Sequence, residues 1–364
     1  MATTQQARDT SIADNIGVPL VSADSHVDET PDFWTSRLPK KLADKVPQFQ
    51  RNSNVAAHSA QTLEAARPGG HDPHARIGEM EQDGLTAEVV YPTLGLRLFS
   101  MTDAAAQEAS FEVYNDWILG YCGVAPKRLF AIASIACYNI DNAVKELERC
   151  AKAGAMGAMV WQVPHPDLPF TSSHYDPLWE AAQALDMPIH LHILTGFDYS
   201  KDGPGAIRGG PIESHRGSVN LKLGSVTNAI FDLIFSGAME RFPKLKVVVV
   251  ESEIGWIPFM LQQWDYYFNR FRSSRPLDIS MAPSEYFYRQ MHATLFNDAV
   301  GGKLLSWWGI DNCMWSTDYP HPNSTWPHSR ELLGEQLGHL PQESLRKLVH
   351  DNVVNLYKLK LPGM

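Results

Sequence analysis

A (β/α)8 barrel, the TIM-barrel fold, is what this chain's pattern predicts, and three observations carry it. Apolar runs of strand length alternate with longer helical stretches along most of the 364 residues. Eight such runs are found, each followed by a helical pattern. The runs are near-continuously apolar, which fits a parallel sheet covered by helices. A doubly wound open sheet fits less well, because no G-x-G-x-x-G turn follows the first strand.

Taken in order, the strands are expected at 20–23, 87–91, 129–135, 157–161, 187–193, 247–250, 291–295 and 312–316. Helical periodicity covers 103–121, 141–153, 175–185, 224–241, 257–272 and 298–308. Residues 1–16 read as a tail or an arm docked on a neighbour, and 17–364 as one barrel domain. Long insertions interrupt the pattern after strands one and five. The first, 30–78, includes Arg67-Pro68-Gly69-Gly70-His71; the second, 195–222, carries Gly196, Gly203, Gly205, Gly209 and Gly210. Both leave the C-terminal ends of strands, where barrel enzymes keep their chemistry, so they read as lids or subunit contacts. After Asp318 come Pro320, Pro322 and Pro327, then two amphipathic helical stretches, 329–337 and 342–358, expected to close the barrel bottom.

Hydrophobic residues make up 44% and charged residues 20%, as in a globular protein. The net charge of −10 disfavours a nucleic-acid surface or an anionic membrane. No apolar stretch approaches the roughly 20 residues needed to cross a bilayer, and the polar N-terminus lacks the apolar core of a signal peptide. Cys122, Cys137, Cys150 and Cys313 form no C-x-x-C pair, which argues against structural zinc or a disulfide framework. A cytoplasmic protein is the simplest expectation.

The chemistry concentrates at strand ends. Asp24-Ser25-His26 and His190-Leu191-His192 each put two metal-ligand side chains on one face of a strand, because residues i and i+2 point the same way. Val247-Val248-Val249-Val250 runs into Glu251, and Met314-Trp315-Ser316-Thr317 runs into Asp318, followed by Tyr319-Pro320-His321. Polar groups at the exits of buried strands are costly unless they meet a partner, and a divalent cation is a natural one. The candidate ligands are therefore Asp24, His26, His190, His192, Glu251, Asp318 and His321, with Asp318, Glu251 and His321 placed for chemistry. Glu253 would share the face of Glu251, but Glu251 lies nearer the strand. His321 reads equally as a ligand or as a group supporting Asp318. Near the mouth, Arg97 would clamp a substrate carboxylate or make a surface salt bridge. Trp161 and Gln162 would supply an aromatic wall and a polar contact. The aromatic stretch 256–271 is a candidate dimer contact.

These landmarks resemble the amidohydrolase superfamily, in the branch similar to aminocarboxymuconate semialdehyde decarboxylase. Beside the strand ends they include Tyr114-Asn115-Asp116-Trp117, Tyr175-Asp176-Pro177-Leu178-Trp179, Phe242-Pro243-Lys244-Leu245 and Gly255-Trp256-Ile257-Pro258. The resemblance implies a barrel with a divalent metal held by Asp24, His26, His192 and Asp318. Three departures stand out. The first-strand motif is Asp-x-His rather than His-x-His or Glu-x-His, Glu251 stands where the sixth strand usually ends in histidine, and strand four ends without the lysine of two-zinc members. The pattern also resembles amidohydrolase-fold non-haem hydroxylases that hold two metal ions. The favoured expectation is therefore a dinuclear iron or iron–manganese oxygenase that hydroxylates a small carboxylate-bearing substrate with dioxygen and an electron donor. The alternatives are a mononuclear zinc or manganese hydrolase or non-oxidative decarboxylase, and a catalytically silent subunit of a heteromer. A homo- or hetero-oligomer is expected.

Overall fold

The computed structural model describes residues 16–49, 67–200 and 211–363. Eight parallel strands pair in chain order: β1 (Leu20–Val27), β2 (Leu85–Pro92), β3 (Leu129–Ser134), β4 (Gly157–Val160), β5 (Ile189–His192), β6 (Val247–Val250), β7 (Met291–Leu295) and β8 (Cys313–Trp315). Each expected strand is found, with ends shifted by a few residues. Branched side chains suit these strands, which are buried on both faces; all four valines of β6 are fully enclosed.

Two irregularities aim the site. Between Ser22 and Ser25, β1 carries one residue more than β2, so the chain bulges at Asp24. The barrel then closes not through β8 itself, only three residues long, but through the segment just beyond it. Asp318 N–H donates to the Asp24 carbonyl (3.0 Å), His26 N–H to the Tyr319 carbonyl (2.5 Å) and Thr317 N–H to Ser22 Oγ (2.9 Å). The seam thus sets the first-strand pair beside Asp318.

The helices begin where the sequence offers caps. Asp72 accepts from His74 N and Ala75 N to start Pro73–Asp83, Asp103 accepts from Ala106 N to start Ala104–Gly123, and Asn139 accepts from Asn142 N to start Ile140–Ala153. Helix Pro73–Asp83 corrects the reading of 30–78 as an unbroken insertion, since this segment is the β1-to-β2 crossover helix. The expected 224–241 helix breaks at Gly237, whose φ of 75° ends one piece, Lys222–Phe235, and starts another, Ala238–Arg241. The expected 298–308 helix shortens to Ala299–Leu304, and 342–358 is interrupted by a wide turn at Lys347–Asp351. Helix Pro283–Gln290 was not anticipated.

The C-terminal helices close the barrel floor, as expected. Leu348, Val349 and Val353 are buried, and Asn352 Nδ2 donates to the Cys313 carbonyl at 2.7 Å. The four cysteines are buried and unbonded. No helix among the described residues is long and apolar enough to cross a membrane. The expected tail lies outside the described residues, save for Ile16, as do 50–66 and 201–210 of the two insertions.

Candidate metal centre

Asp24, His26, His192 and Glu251 bring one ligand atom each to within 4.8 Å of one another, and all four residues are buried. A second group, His26, Glu251, Asp318 and His321, overlaps the first. His26 Nε2 lies 3.4 Å from both Asp24 Oδ1 and Asp318 Oδ1; His192 Nε2 lies 3.6 Å from Glu251 Oε2 and 3.9 Å from Asp24 Oδ1. Residues nearly 300 positions apart in the chain therefore meet at one mouth of the barrel.

Backbone acceptors orient the two imidazoles. His26 Nδ1 donates to the Pro92 carbonyl (2.7 Å) and His192 Nδ1 to the Ile193 carbonyl (2.9 Å). Each ring thus keeps its Nε2 lone pair for the centre. Burial drives His26 well below its ordinary range and His192 down to about 4, so both are neutral donors. Burial also pushes the Asp24 and Asp318 carboxyls up to about 7. Glu251 goes the other way, to about 2: burial opposes its charge, but Lys222 and His192 outweigh it. Asp24 Oδ1 and Oδ2, His26 Nε2, His192 Nε2 and Asp318 Oδ2 are buried with no hydrogen-bond partner among the described residues. Buried polar atoms of this kind carry a large desolvation cost. Two imidazole nitrogens and two carboxylates converging with their lone pairs unspent fit a divalent ion such as manganese, iron or zinc.

Glu251 and Asp318 hold left-handed backbone conformations, with φ of 58° and 56°. Such conformations cost about 1–3 kcal/mol each in non-glycine residues and cluster at functional sites. Here they turn both carboxylates off their strands and into the mouth. The same turn explains why Glu253 does not share the face of Glu251: period two stops at Val250. Glu253 instead accepts N–H groups from Phe296 (3.2 Å) and Asn297 (3.1 Å), tying the exits of β6 and β7 together.

Not every expected ligand joins the centre. His190 belongs to neither group. It lies one layer deeper, sharing a 2.7 Å hydrogen bond with Tyr91 Oη and stacked on Tyr357. His321 stands beside the centre, but both its nitrogens are engaged. Nδ1 bonds Asp318 Oδ1 at 2.8 Å and Nε2 meets Thr93 Oγ1 at 3.1 Å, while the ring stacks on His26 at 4.1 Å. Burial opposes its charge, yet Asp318 lifts His321 to about 9.

Among the substrate-facing candidates, Trp161 is buried and spends its indole N–H on Tyr175 Oη (3.0 Å), while its ring packs edge-on against Tyr138. Gln162 is fully buried, and neither atom of its amide has a partner among the described residues. Arg97 is part-buried in the turn Leu94–Ser100. That turn is held by Glu29, which accepts N–H groups from Thr93, Leu94 and Gly95.

Sequence reasoning missed Lys222, Tyr91, Thr93 and Arg76. Arg76 is fully buried; its Nε donates to Glu88 at 2.6 Å and its Nη1 to the His26 carbonyl at 2.5 Å, which braces the first-strand ligand from behind. Tyr91 alone had a legible signal, sitting on the period-two face of β2. The others reach the site from loops and helices whose spacing carries no such cue.

An eight-stranded barrel with an imidazole–carboxylate cage at its mouth defines a class, and the chain belongs to it: the amidohydrolase family profile matches residues 23–359. It is an enzyme of that superfamily, in the aminocarboxymuconate semialdehyde decarboxylase-like branch. It is 23% identical over 258 residues to the gamma-resorcylate decarboxylase of Polaromonas sp., covering 67% of this chain and 75% of that protein. Among solved structures, an amidohydrolase from Mycobacterium avium subsp. paratuberculosis superposes with a TM-score of 0.75 at 18% identity, covering 94% of this chain and 99% of the other. The 5-carboxyvanillate decarboxylase of Novosphingobium aromaticivorans, solved with manganese and a nitrobenzoic acid, gives 0.73 at 17%, covering 98% and 100%. The relatives carry decarboxylase names, which favours the non-oxidative alternative over the oxygenase that the ligand pattern alone had suggested.

Proposed function

We propose that this chain is a metal-dependent, non-oxidative decarboxylase acting on a small carboxylate-bearing aromatic acid. The observation that carries this is that Asp24, His26, His192 and Asp318 leave buried ligand atoms unpaired, with His26 Nε2 3.4 Å from both Asp24 Oδ1 and Asp318 Oδ1. Decarboxylase relatives and a manganese-bound structural neighbour support the reading. A divalent cation held by those four residues would anchor the substrate carboxylate and its neighbouring oxygen and draw electron density out of the ring.

The rest falls to the protein. Asp318 keeps Oδ1 on His321 and leaves Oδ2 unpaired. As the carbon–carboxylate bond breaks, its electron pair stays on the ring carbon, carbon dioxide leaves, and Asp318 supplies the proton that the carbon takes up. His321, backed by Thr93, restores that proton. Arg97 is the candidate to steady a second anionic group on the substrate, and Trp161 belongs to the aromatic wall on the β4 side.

The test is to load the protein with manganese and offer 2,6-dihydroxybenzoate, 5-carboxyvanillate and related hydroxybenzoates under argon. Carbon dioxide release matched by decarboxylated product, lost in Asp318→Asn by at least about 100-fold, is the expected result. Product formation that requires dioxygen and a reductant would replace this reading with the two-metal oxygenase. That second reading rests on the overlapping group of His26, Glu251, Asp318 and His321.

A further inference from the structure

We infer that Glu29 is a positioning residue for the metal centre, acting on His26 through the peptide group that joins Pro92 to Thr93. The inference rests on the metal-centre reading above and adds to it a residue that is not a ligand. Glu29 lies two residues past β1 and is only 4% exposed, yet among the described residues it forms no ion pair. Charged side chains are seldom enclosed in this way unless something answers their charge. For Glu29 the answer is the exit of β2. Its Oε2 accepts N–H groups from Thr93 (3.1 Å) and Leu94 (2.8 Å), and its Oε1 accepts from Gly95 (3.2 Å).

The Thr93 N–H and the Pro92 carbonyl belong to one peptide group, which is planar and trans, so the two point in opposite directions. With the N–H drawn to Glu29, the carbonyl faces His26 and takes its Nδ1–H at 2.7 Å. A buried carboxylate, a peptide group and a ligand imidazole therefore stand in series, and hydrogen bonds in series polarise one another. Each link serves the next. Glu29 fixes the plane of the peptide, the peptide fixes the tautomer of His26, and the tautomer leaves Nε2 for the cation.

The corner is closely fitted. A methyl at Gly95 would stand 2.7 Å from Pro92 Cβ and 3.0 Å from Glu29 Oε1, so a side chain there would push the carboxylate and the proline apart. Thr93 also turns its Oγ1 to His321 Nε2 at 3.1 Å. Behind the corner, Gln107 Nε2 donates to the Leu98 carbonyl at 2.9 Å and Tyr138 Oη to the Met101 carbonyl at 2.9 Å. Removing the Glu29 acceptors therefore frees the front of the turn Leu94–Ser100, where His26 leans, and leaves its back pinned.

The experiment compares wild type with Glu29→Gln, Gly95→Ala and Asp83→Asn at pH 8, above the value of about 7 to which burial pushes the Glu29 carboxyl. Manganese affinity is read from the electron paramagnetic resonance of the free ion, and circular dichroism verifies folding. E29Q keeps the size of the side chain but turns an amide –NH2 toward the N–H groups, and G95A wedges the same contact from the turn side. Both should bind manganese at least about tenfold more weakly. Asp83 is the control: it too is 4% exposed, and it accepts from Ser329 N (3.0 Å) near the opposite end of β2. D83N should stay within about twofold of wild type. In metal-free protein, 15N spectra of the His26 ring, assigned against His26→Gln, should show the Nδ1–H tautomer in wild type and D83N and a tautomer mixture in E29Q. E29Q with wild-type affinity or an unmixed Nδ1–H tautomer overturns the inference, as does D83N losing as much affinity as E29Q; in each case the metal centre itself survives. Should E29Q not fold, G95A decides alone, and wild-type affinity there overturns the inference. Wild type that binds no manganese overturns the centre and the inference together.

Discussion

His26 and His192 show how little the sequence needs to specify a ligand. Each places one ring nitrogen on a backbone carbonyl, Pro92 at the end of β2 for His26 and Ile193 just past β5 for His192, and that single bond selects the tautomer and aims the other nitrogen. Asp24 has no such partner, and its pKa stands near 7 rather than the ordinary 3.8. A group whose folded pKa is raised gives its full stability below the unfolded value and loses it as pH rises through the folded one. In the metal-free protein the Asp24 contribution should therefore be lost between about pH 4 and pH 7, while the lowered His26 and His192 contribute in the opposite direction over part of that window. Asp24→Asn should flatten part of that loss and raise the melting temperature of the metal-free protein at pH 8. The same variant should weaken manganese binding by at least about tenfold. Melts across pH with chelator and titrations with manganese test both halves; a variant less stable than wild type at pH 8 would contradict the account.

At the scale of elements, the strands were legible and their ends were not. Apolar runs alternating with helical patterns located all eight strands, and period two brought out Asp24, His26 and His192 because β5 extends to His192 and β1, despite its bulge, runs on to Val27. The same rule misassigned His190 to the metal, since it reports a face but not a depth. It was silent on Lys222 and Arg76, whose positions follow from how helices pack around the barrel. Depth matters at β4 too. A methyl at Gly157 would lie 2.3 Å from His190 Nε2 and 3.1 Å from Ile132 Cδ1. Gly157→Ala should therefore cost about 1–3 kcal/mol, visible as a lower denaturation midpoint, and should disturb the His190–Tyr91 bond beneath the centre. An unchanged midpoint would mean that the layer below the metal is looser than its distances indicate.

For the whole molecule, a metal bound as proposed would be a fastener as well as a reagent. Its proposed ligands come from β1, β5 and the segment just past β8, so binding would join the two ends of the sheet. Manganese at about 100 times its dissociation constant should stabilise the fold by about 2.7 kcal/mol, and Asp318→Asn should shrink the corresponding rise in melting temperature. Differential scanning calorimetry with and without metal measures both; equal melting temperatures in chelator and in manganese would argue against a bound ion. The net charge of −10 suits cation uptake and disfavours nucleic acid as a partner. The helix Ile257–Phe271 buries Trp264 but turns Phe259, Tyr266 and Tyr267 outward.

The seam carries a consequence for biosynthesis. Because Asp24 and Asp318 are hydrogen-bonded neighbours almost 300 residues apart in the sequence, a nascent chain on the ribosome cannot assemble the candidate cage until the segment past β8 has been translated. On the proposed reading metal capture follows that step, and a product ending before Asp318 would lack the cage.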